Sequence, residues 1–243
     1  MKFVISGLIF KKIIDAVKDL VKDTSIEFSK DGFTLNAMDS SHVSLVYLNI
    51  NTSLSEYMCE QDEVISLSTE TLYKILKTCD NNSTLTCQNN NNKLEIVAHN
   101  DDRYMNFSQN LLDLESDAMM IPNIEYPCKI IMSCGEFQKI CRDMREFGED
   151  IRIMVSPNNL KLSTANGGEH MDIEYNIDKS NLQIESEASI EICFSLKYLC
   201  LFCKATPLCD NVTLFIGVEQ PIQVKFAISE SEHLSFFLAP KID

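Results

Sequence analysis

Cys200 and Cys203 stand three positions apart, with Cys209 close behind, a spacing that could hold zinc through thiolates. A second pair at ligand spacing is missing, and a helix over 195–204 needs both Cys200 and Cys203 for its apolar face, so no metal ligand is assigned. The four histidines, His42, His99, His170 and His233, are scattered, and no nucleophile pairs with one in a recognisable motif. Asp39 lies near His42, but the pattern there is that of a turn residue beside a surface histidine. The 36 acidic residues could supply a two-metal nuclease site, yet no spacing singles any out. Seven glycines are too few for dinucleotide cradles, and no Gly-x4-Gly-Lys-Ser loop occurs. The chain is read as a non-enzyme with no catalytic residue and no cofactor. A metal-dependent nuclease is kept as the alternative from another class.

Lysine and arginine carry the remaining chemistry. The net charge of −15 argues at first against nucleic acid, because phosphate binding requires a basic surface. The distribution of charge points the other way. Four windows with helical spacing, 10–22, 68–78, 134–146 and 195–204, hold 11 of the 21 basic residues but only 6 of the 36 acidic ones. They carry a net +5 on a body that carries −20. An acidic protein with basic helices can hold DNA at one surface and repel it elsewhere.

The elements that must position those charges follow from periodicity. In the first window Phe10, Ile13, Ile14, Val17, Leu20 and Val21 share one face, with Lys11, Lys18 and Lys22 opposite and Lys12 at the margin. The second sets Leu72, Ile75, Leu76 and Cys79 inward, with Lys74 and Lys77 outward. The third buries Phe137, Ile140, Cys141 and Met144 and presents Lys139, Arg142 and Arg145. The fourth buries Leu196, Leu199, Cys200 and Cys203 and presents Lys197 and Lys204. Alternating patterns predict strands at 2–5, 25–29, 33–37, 43–50, 56–66, 84–87 and 93–98. The Asn89–Asn92 run reads as a hairpin turn.

Residues 112–127, with Asp113, Glu115, Asp117, Pro122 and Pro127, lack a period and read as a connector between two halves, 1–111 and 128–243. The second half replays the first at an offset of 127 residues. Lys2/Lys129, Ser6/Ser133, Phe10/Phe137, Lys12/Lys139 and Ile13/Ile140 agree without a gap, as do Ser68/Ser195, Leu72/Leu199 and Lys77/Lys204. Each half is strand, helix, strands, helix, strands, which makes the fold α+β with sheets covered on one side by helices. No apolar run reaches the length of a membrane span. Residues 3–10 loosely imitate a secretory leader, but Lys11 and Lys12 follow where a cleavage site should be. Ten cysteines in that context point to an intracellular, reducing compartment.

Four stretches carry a resemblance to a known family. They are Leu35–Leu45 (LNAMDSSHVSL), where Val43, Leu45 and Tyr47 alternate with Ser44 and Val46, then Gly135–Asp143 (GEFQKICRD), Lys204–Leu208 (KATPL) and Leu238–Ile242 (LAPKI). In order and spacing they resemble proliferating cell nuclear antigen, the family of eukaryotic-type DNA sliding clamps, over essentially the whole chain, with a viral or divergent eukaryotic member as the best fit. The resemblance implies a two-domain clamp fold. Each domain has sheets outside and two helices inside, and three chains join head to tail in a pseudo-six-fold ring around duplex DNA.

The resemblance also implies residue roles. DNA-facing positions are Lys11, Lys12, Lys18, Lys74, Lys77, Lys139, Arg142, Lys197 and Lys204, with Arg145 and Lys22 as additions. A groove for partner peptides falls at Met38, His42, Leu45, Met119, Met120, Ile121, Pro122, Pro221, Phe237, Ala239 and Pro240. Edge strands near 106–111 and 170–175 would join subunits, with Phe107, Leu111 and Tyr175 as contacts. Expected partners are DNA without sequence preference, a second and third copy of the chain, a DNA polymerase, a clamp loader and proteins with clamp-interacting motifs, at the nucleus or a viral replication site. A monomeric processivity factor and one subunit of a heterotrimeric clamp are the alternatives within the fold. Three departures stand out: Met119-Met120 where Leu-Gly is usual, Pro157 where the family carries a modified lysine, and Phe237 in place of tyrosine.

Overall fold

Alternation of apolar and polar side chains runs through most of the chain and yields antiparallel strands, interrupted four times by helical spacing. The computed structural model describes residues 1–51, 56–114, 124–186 and 188–241. The first half contains β1 (Lys2–Ser6), α1 (Gly7–Val17), β2 (Asp23–Ser29), β3 (Gly32–Met38), β4 (Ser44–Asn51) and β5 (Glu56–Met58). It continues with β6 (Glu63–Ser68), α2 (Thr69–Thr78), β7 (Thr84–Asn90), β8 (Lys93–His99) and β9 (Tyr104–Asn110). The second half contains β10 (Cys128–Ser133), α3 (Cys134–Arg145), β11 (Asp150–Ser156), β12 (Asn159–Asn166), β13 (Glu169–Asn176) and β14 (Gln183–Ser186). β15 (Ile190–Ser195), α4 (Leu196–Phe202), β16 (Asn211–Ile216), β17 (Ile222–Ala227) and β18 (His233–Leu238) complete it.

The strands form two units of the same plan. Met1–Ser40, Val46–Ile121 and Ile228–Leu234 make the first unit; Ser41–Leu45, Pro122–Ala227 and Ser235–Asp243 make the second. Strand order is β5-β1-β7-β8-β9 and β6-β2-β3-β4 in the first half, and β14-β10-β16-β17-β18 and β15-β11-β12-β13 in the second. Adding nine to each strand number turns one description into the other. The offset of 127 residues read from a few identities therefore holds for the strands themselves: β2 at 23–29 answers β11 at 150–156, and β6 at 63–68 answers β15 at 190–195.

Each unit builds its core where helices cover the sheet. In the first, Phe3 meets Phe10 edge-on at 6.0 Å and packs with Phe28 and Phe33. In the second, Phe202 stacks on Phe236 at 4.5 Å, with Phe226 edge-on to Phe236. All of these rings are buried, each side chain contributing about 1.5–3 kcal/mol of transfer free energy.

Among the described residues, α1, α2, α3 and α4 are pinned by the same kind of bond. The first N–H of a helix has no intrahelical acceptor, and here each one finds a loop carbonyl. Gly7 N–H donates to Ser83 O at 2.9 Å and Cys134 N–H to Asp210 O at 2.8 Å. Thr69 N–H donates to Lys22 O at 2.8 Å and Leu196 N–H to Glu149 O at 2.9 Å. Donors and acceptors in the two halves are again 127 residues apart.

Several boundaries differ from the sequence reading. α1 begins at Gly7 and ends at Val17, not at 22, because Leu20 and Val21 turn back onto the carbonyl of Val17. Leu20 and Val21 are buried, so periodicity alone extends the helix too far. The strand expected over 56–66 is two strands, separated by the polar run Cys59–Asp62. α4 stops at Phe202 and tightens into a 3-10 turn over Cys203–Leu208, where Pro207 lacks the N–H that would continue the ladder. Phe202 is fully buried and Cys200 only partly, the reverse of the expected emphasis. In β4 the buried alternation is Val46, Leu48 and Ile50, so Tyr47 points outward and meets His233. The Asn-rich hairpin is as expected: Asn91 and Asn92 both take positive φ, 50° and 61°, between the paired residues Asn90 and Lys93.

Gly32 closes the β2–β3 hairpin at φ 137°, and a Cβ there would lie 2.1 Å from the carbonyl oxygen of Ile50. Gly32→Ala is expected to lower unfolding free energy by about 2–4 kcal/mol, combining backbone strain with a backbone clash. A denaturant midpoint matching that of the wild type would disprove this role.

Candidate nucleic-acid interface

Within the first unit α1 packs on α2. Phe10, Ile13, Ile14 and Val17 of α1 and Leu72 and Leu76 of α2 fill the buried side. Spacing of 3.6 residues per turn then leaves Lys11, Lys12, Lys74 and Lys77 away from the core. Lys74 and Lys77 are exposed; Lys11 and Lys12 are partly covered. α2 is started by Ser68, whose Oγ accepts from Thr71 N–H at 3.4 Å, and it carries Glu70 in its first turn and Lys77 in its last. Both charges complement the helix dipole.

Within the second unit α3 packs on α4 and on the 3-10 turn after it. Phe137, Ile140, Cys141 and Met144 are buried, and Lys139, Arg142 and Arg145 are exposed. Ser133 Oγ accepts from Glu136 N–H at 3.1 Å and caps α3. Lys197 is exposed at the start of α4, 5.7 Å over the ring of Tyr198. Lys204 is partly covered and sits in the 3-10 turn, not in α4 as expected.

The cations differ in how they are engaged. Lys77, Lys139 and Arg145 are exposed and form no ion pair among the described residues. Lys11 Nζ donates to Asn81 Oδ1 at 2.9 Å. Lys74 pairs with Glu70 at 2.9 Å, which holds the Glu70 carboxyl below its ordinary range. Arg142 binds its neighbour Asp143 at 2.9 Å. Such exposed pairs are weak, so a phosphate can compete for the cation.

Lys18 is different. It lies one residue past the end of α1, with its Nζ 2.8 Å from Asp15, 3.5 Å from Asp19 and 4.5 Å over the ring of Tyr73 on α2. Only 15% of its side chain is exposed. Burial and the Asp15 carboxylate both push the Tyr73 hydroxyl up, so the phenol stays neutral. The lysine therefore fastens α1 to α2. Lys22 lies outside α1 altogether, and its carbonyl receives Thr69 N–H. Sequence reasoning missed Tyr73 and Asn81; the only trace was that neither fits the apolar face of α2 or the hairpin core.

The residues assigned by resemblance to a peptide groove fall in several places. Met38 ends β3 and is half-buried. Within the second unit Ala239 N–H donates to Val43 O at 2.9 Å, which sets Ser41–Leu45 beside the segment after β18. There His42, at φ 58°, and Ala239 are exposed, Pro240 is half-buried, and Leu45 and Phe237 are buried. Pro221 O accepts from the Tyr126 hydroxyl at 2.8 Å. Met119, Met120, Ile121 and Pro122 lie outside the described residues. Of the expected interface residues, Phe107 lies on β9, Leu111 just after it and Tyr175 on β13, all partly exposed. The Tyr175 hydroxyl donates to Glu136 Oε1 at 2.5 Å, so its polar end is bound within its own unit. Among the described residues no group of three or more His, Cys, Asp or Glu is placed to hold a metal ion, and no helix is long and apolar enough to cross a membrane.

Two family models match the chain end to end. Residues 2–120 match the proliferating cell nuclear antigen N-terminal domain, and residues 120–241 match the C-terminal domain of the same family.

The distinction between fastened and exposed cations is measurable. Lys18→Ala is expected to lower stability by about 0.5–1 kcal/mol through loss of the Tyr73 contact and the Asp15 pair. It should weaken binding to duplex DNA less than Lys77→Ala or Lys139→Ala in a fluorescence titration at low salt. Equal losses of affinity would place Lys18 among the DNA contacts instead.

Proposed function

The chain belongs to the proliferating cell nuclear antigen family, the DNA sliding clamps, and from that premise we propose that it closes as a homotrimeric ring around duplex DNA and acts as a processivity factor for a DNA polymerase. The observation that carries the ring is a contrast in burial. Phe107, Leu111, Ile173 and Tyr175, on or next to β9 and β13, are partly exposed. Their counterparts 127 residues away, Leu234, Leu238, Val46 and Leu48, are buried at 0–1% exposure. Those counterparts lie on β18 and β4, whereas β9 pairs only with β8 and β13 only with β12 among the described residues. A ladder formed between β9 of one chain and β13 of the next would cover both edges. A head-to-tail contact of that kind closes into a ring when its rotation fits.

DNA would be held by Lys11, Lys12, Lys74, Lys77, Lys139, Arg142, Arg145, Lys197 and Lys204, with Lys18 in support. Lysine on a helix outside a groove reaches phosphates without reading base edges, so binding is independent of sequence and permits sliding. The ring cannot leave sideways, and a tethered polymerase gains effective concentration from that topology without tight contacts. An ATP-driven loader on another chain would open the ring. Clients carrying short apolar motifs would dock beside the connector 112–127 between clamp domains 1–111 and 128–243, on the groove residues assigned above. The protein itself performs no catalysis in this reading, and it works where DNA is replicated, in the nucleus or at a viral replication site.

Light scattering across a dilution series is expected to give a native mass three times the 27.6 kDa of one chain. A mass of one chain at every concentration would favour a monomeric processivity factor on the same fold. Replacing Lys12, Lys77, Lys139 and Lys204 together by Ala is expected to weaken DNA binding and flatten its dependence on salt, by about 0.9 in logarithmic slope for each phosphate no longer neutralised. An unchanged slope would remove these residues from the interface.

A further inference from the structure

The turn before β16 brings Cys209 against the first residue of α3. Cys134 N–H donates to the carbonyl of Asp210, so the two backbones run side by side, and the sulfurs of Cys134 and Cys209 lie 3.9 Å apart. These thiols are distant in sequence and take no part in the basic faces described above. We propose that Cys134 and Cys209 form a reversible oxidation site, in which a hydroperoxide converts the facing thiols into a disulfide that ties the first turn of α3 to the turn before β16.

The pair is asymmetric in the way this chemistry requires. Cys134 is buried, and Cys209 is partly exposed, so an oxidant reaches Cys209 first. The contact between the two sulfurs lowers the Cys209 thiol from its ordinary range and, with burial, raises that of Cys134. Thiolate is the reactive form, and Cys209 is the member of the pair that supplies it. Its sulfur attacks the peroxide: an S–O bond forms, the O–O bond breaks, and the leaving oxygen departs as water or an alcohol after taking a proton. Cys134 then attacks the sulfenic sulfur of Cys209. The S–S bond forms as the S–O bond breaks, and the proton of Cys134 leaves with the second oxygen as water. Two thiols are oxidised, one hydroperoxide is reduced, and a thiol reductant restores the start.

A disulfide requires the sulfurs to close from 3.9 Å to a bond length of about 2.05 Å, and the bond from Cys134 N–H to Asp210 O already holds the two segments side by side. Other cysteines make a useful contrast. Cys141, on α3, and Cys203 also face each other, but both are buried in the core and are closed to an oxidant in solution.

The test uses the full chain, fully reduced, then treated with hydrogen peroxide under native conditions, alkylated and mapped by mass spectrometry. All ten cysteines start free. The expected result is loss of two alkylation sites, a mass lower by two hydrogens before alkylation, and one cross-linked peptide pair containing Cys134 and Cys209, all reversed by dithiothreitol. Cys134→Ser should leave Cys209 to accumulate as sulfinic acid, and Cys209→Ser should abolish the fast loss of thiols. A cross-link between Cys141 and Cys203, retention of all ten thiols, or sulfinic acid at Cys209 in the wild-type chain would each overturn the proposal. The wild-type peptide map decides the matter even where a variant folds poorly.

Discussion

The four hydrogen bonds from the first N–H of each helix to a loop carbonyl are what the rest of the architecture depends on. A helix resting on a sheet through apolar side chains alone could roll or slide, because hydrophobic burial has no direction. A backbone bond fixes one point at the helix start, and the apolar stripe then fixes the rotation. Gly7 shows how tight the contact is, since a Cβ there would lie 2.9 Å from the oxygen it bonds. At the corresponding place in the second half stands Cys134, which bonds Asp210 in the same way and whose side chain meets Cys209. With the starts fixed, the basic residues on the outer faces project from rigid elements.

This constraint also explains which part of the duplication could be read in the sequence. Identities at the 127-residue offset cluster at the start of α1 and α3 and on the second helices, where an apolar residue must fill one gap in the core or a cation must point outward. Strands need only alternation, so β3 and β12 share a position and a pairing pattern, with β2 and β11, while only Leu35 and Leu162 are identical. The helices α2 and α3 were legible from periodicity, and the structure adds a cap to each: Ser68 and Ser133 accept from the N–H groups of Thr71 and Glu136. The ends of α1 and α4 were not. Leu20 and Val21 continue the apolar pattern after the backbone has stopped being helical, and the burial of Phe202 depends on its stacking with Phe236, far along the chain.

The candidate interface was legible in outline and not in its finer order. Charge counting places the cations on helices, but it treats Lys18 and Lys77 alike. Their difference lies in Tyr73, an aromatic residue of α2 that becomes a seat for Lys18 only once the helices pack. At the matching positions of the second half stand Arg145 and Cys200, where no ring is present and the arginine stays exposed. The two repeats therefore use equivalent cations differently, one to join helices and one on the outer surface. The acidic remainder of the chain sharpens the contrast, since a field of carboxylates disfavours phosphate wherever the lysines are absent.

The two edges that the proposed ring joins are chemically unlike, and that difference bears on how chains can associate. β13 carries Glu169, Asp172 and Glu174, whereas β9 has no charged residue along its length. Two copies of β13 laid side by side would set like charges across the ladder, which is destabilising. Two copies of β9 would pair without repulsion but would leave both β13 edges open. Pairing β9 with β13 avoids the repulsion, places acidic side chains opposite neutral polar ones, and offers the partly exposed Phe107, Ile173 and Tyr175 a surface to cover. Charge on one edge alone thus works against two-fold association and in favour of a head-to-tail contact, the kind from which a closed ring is built.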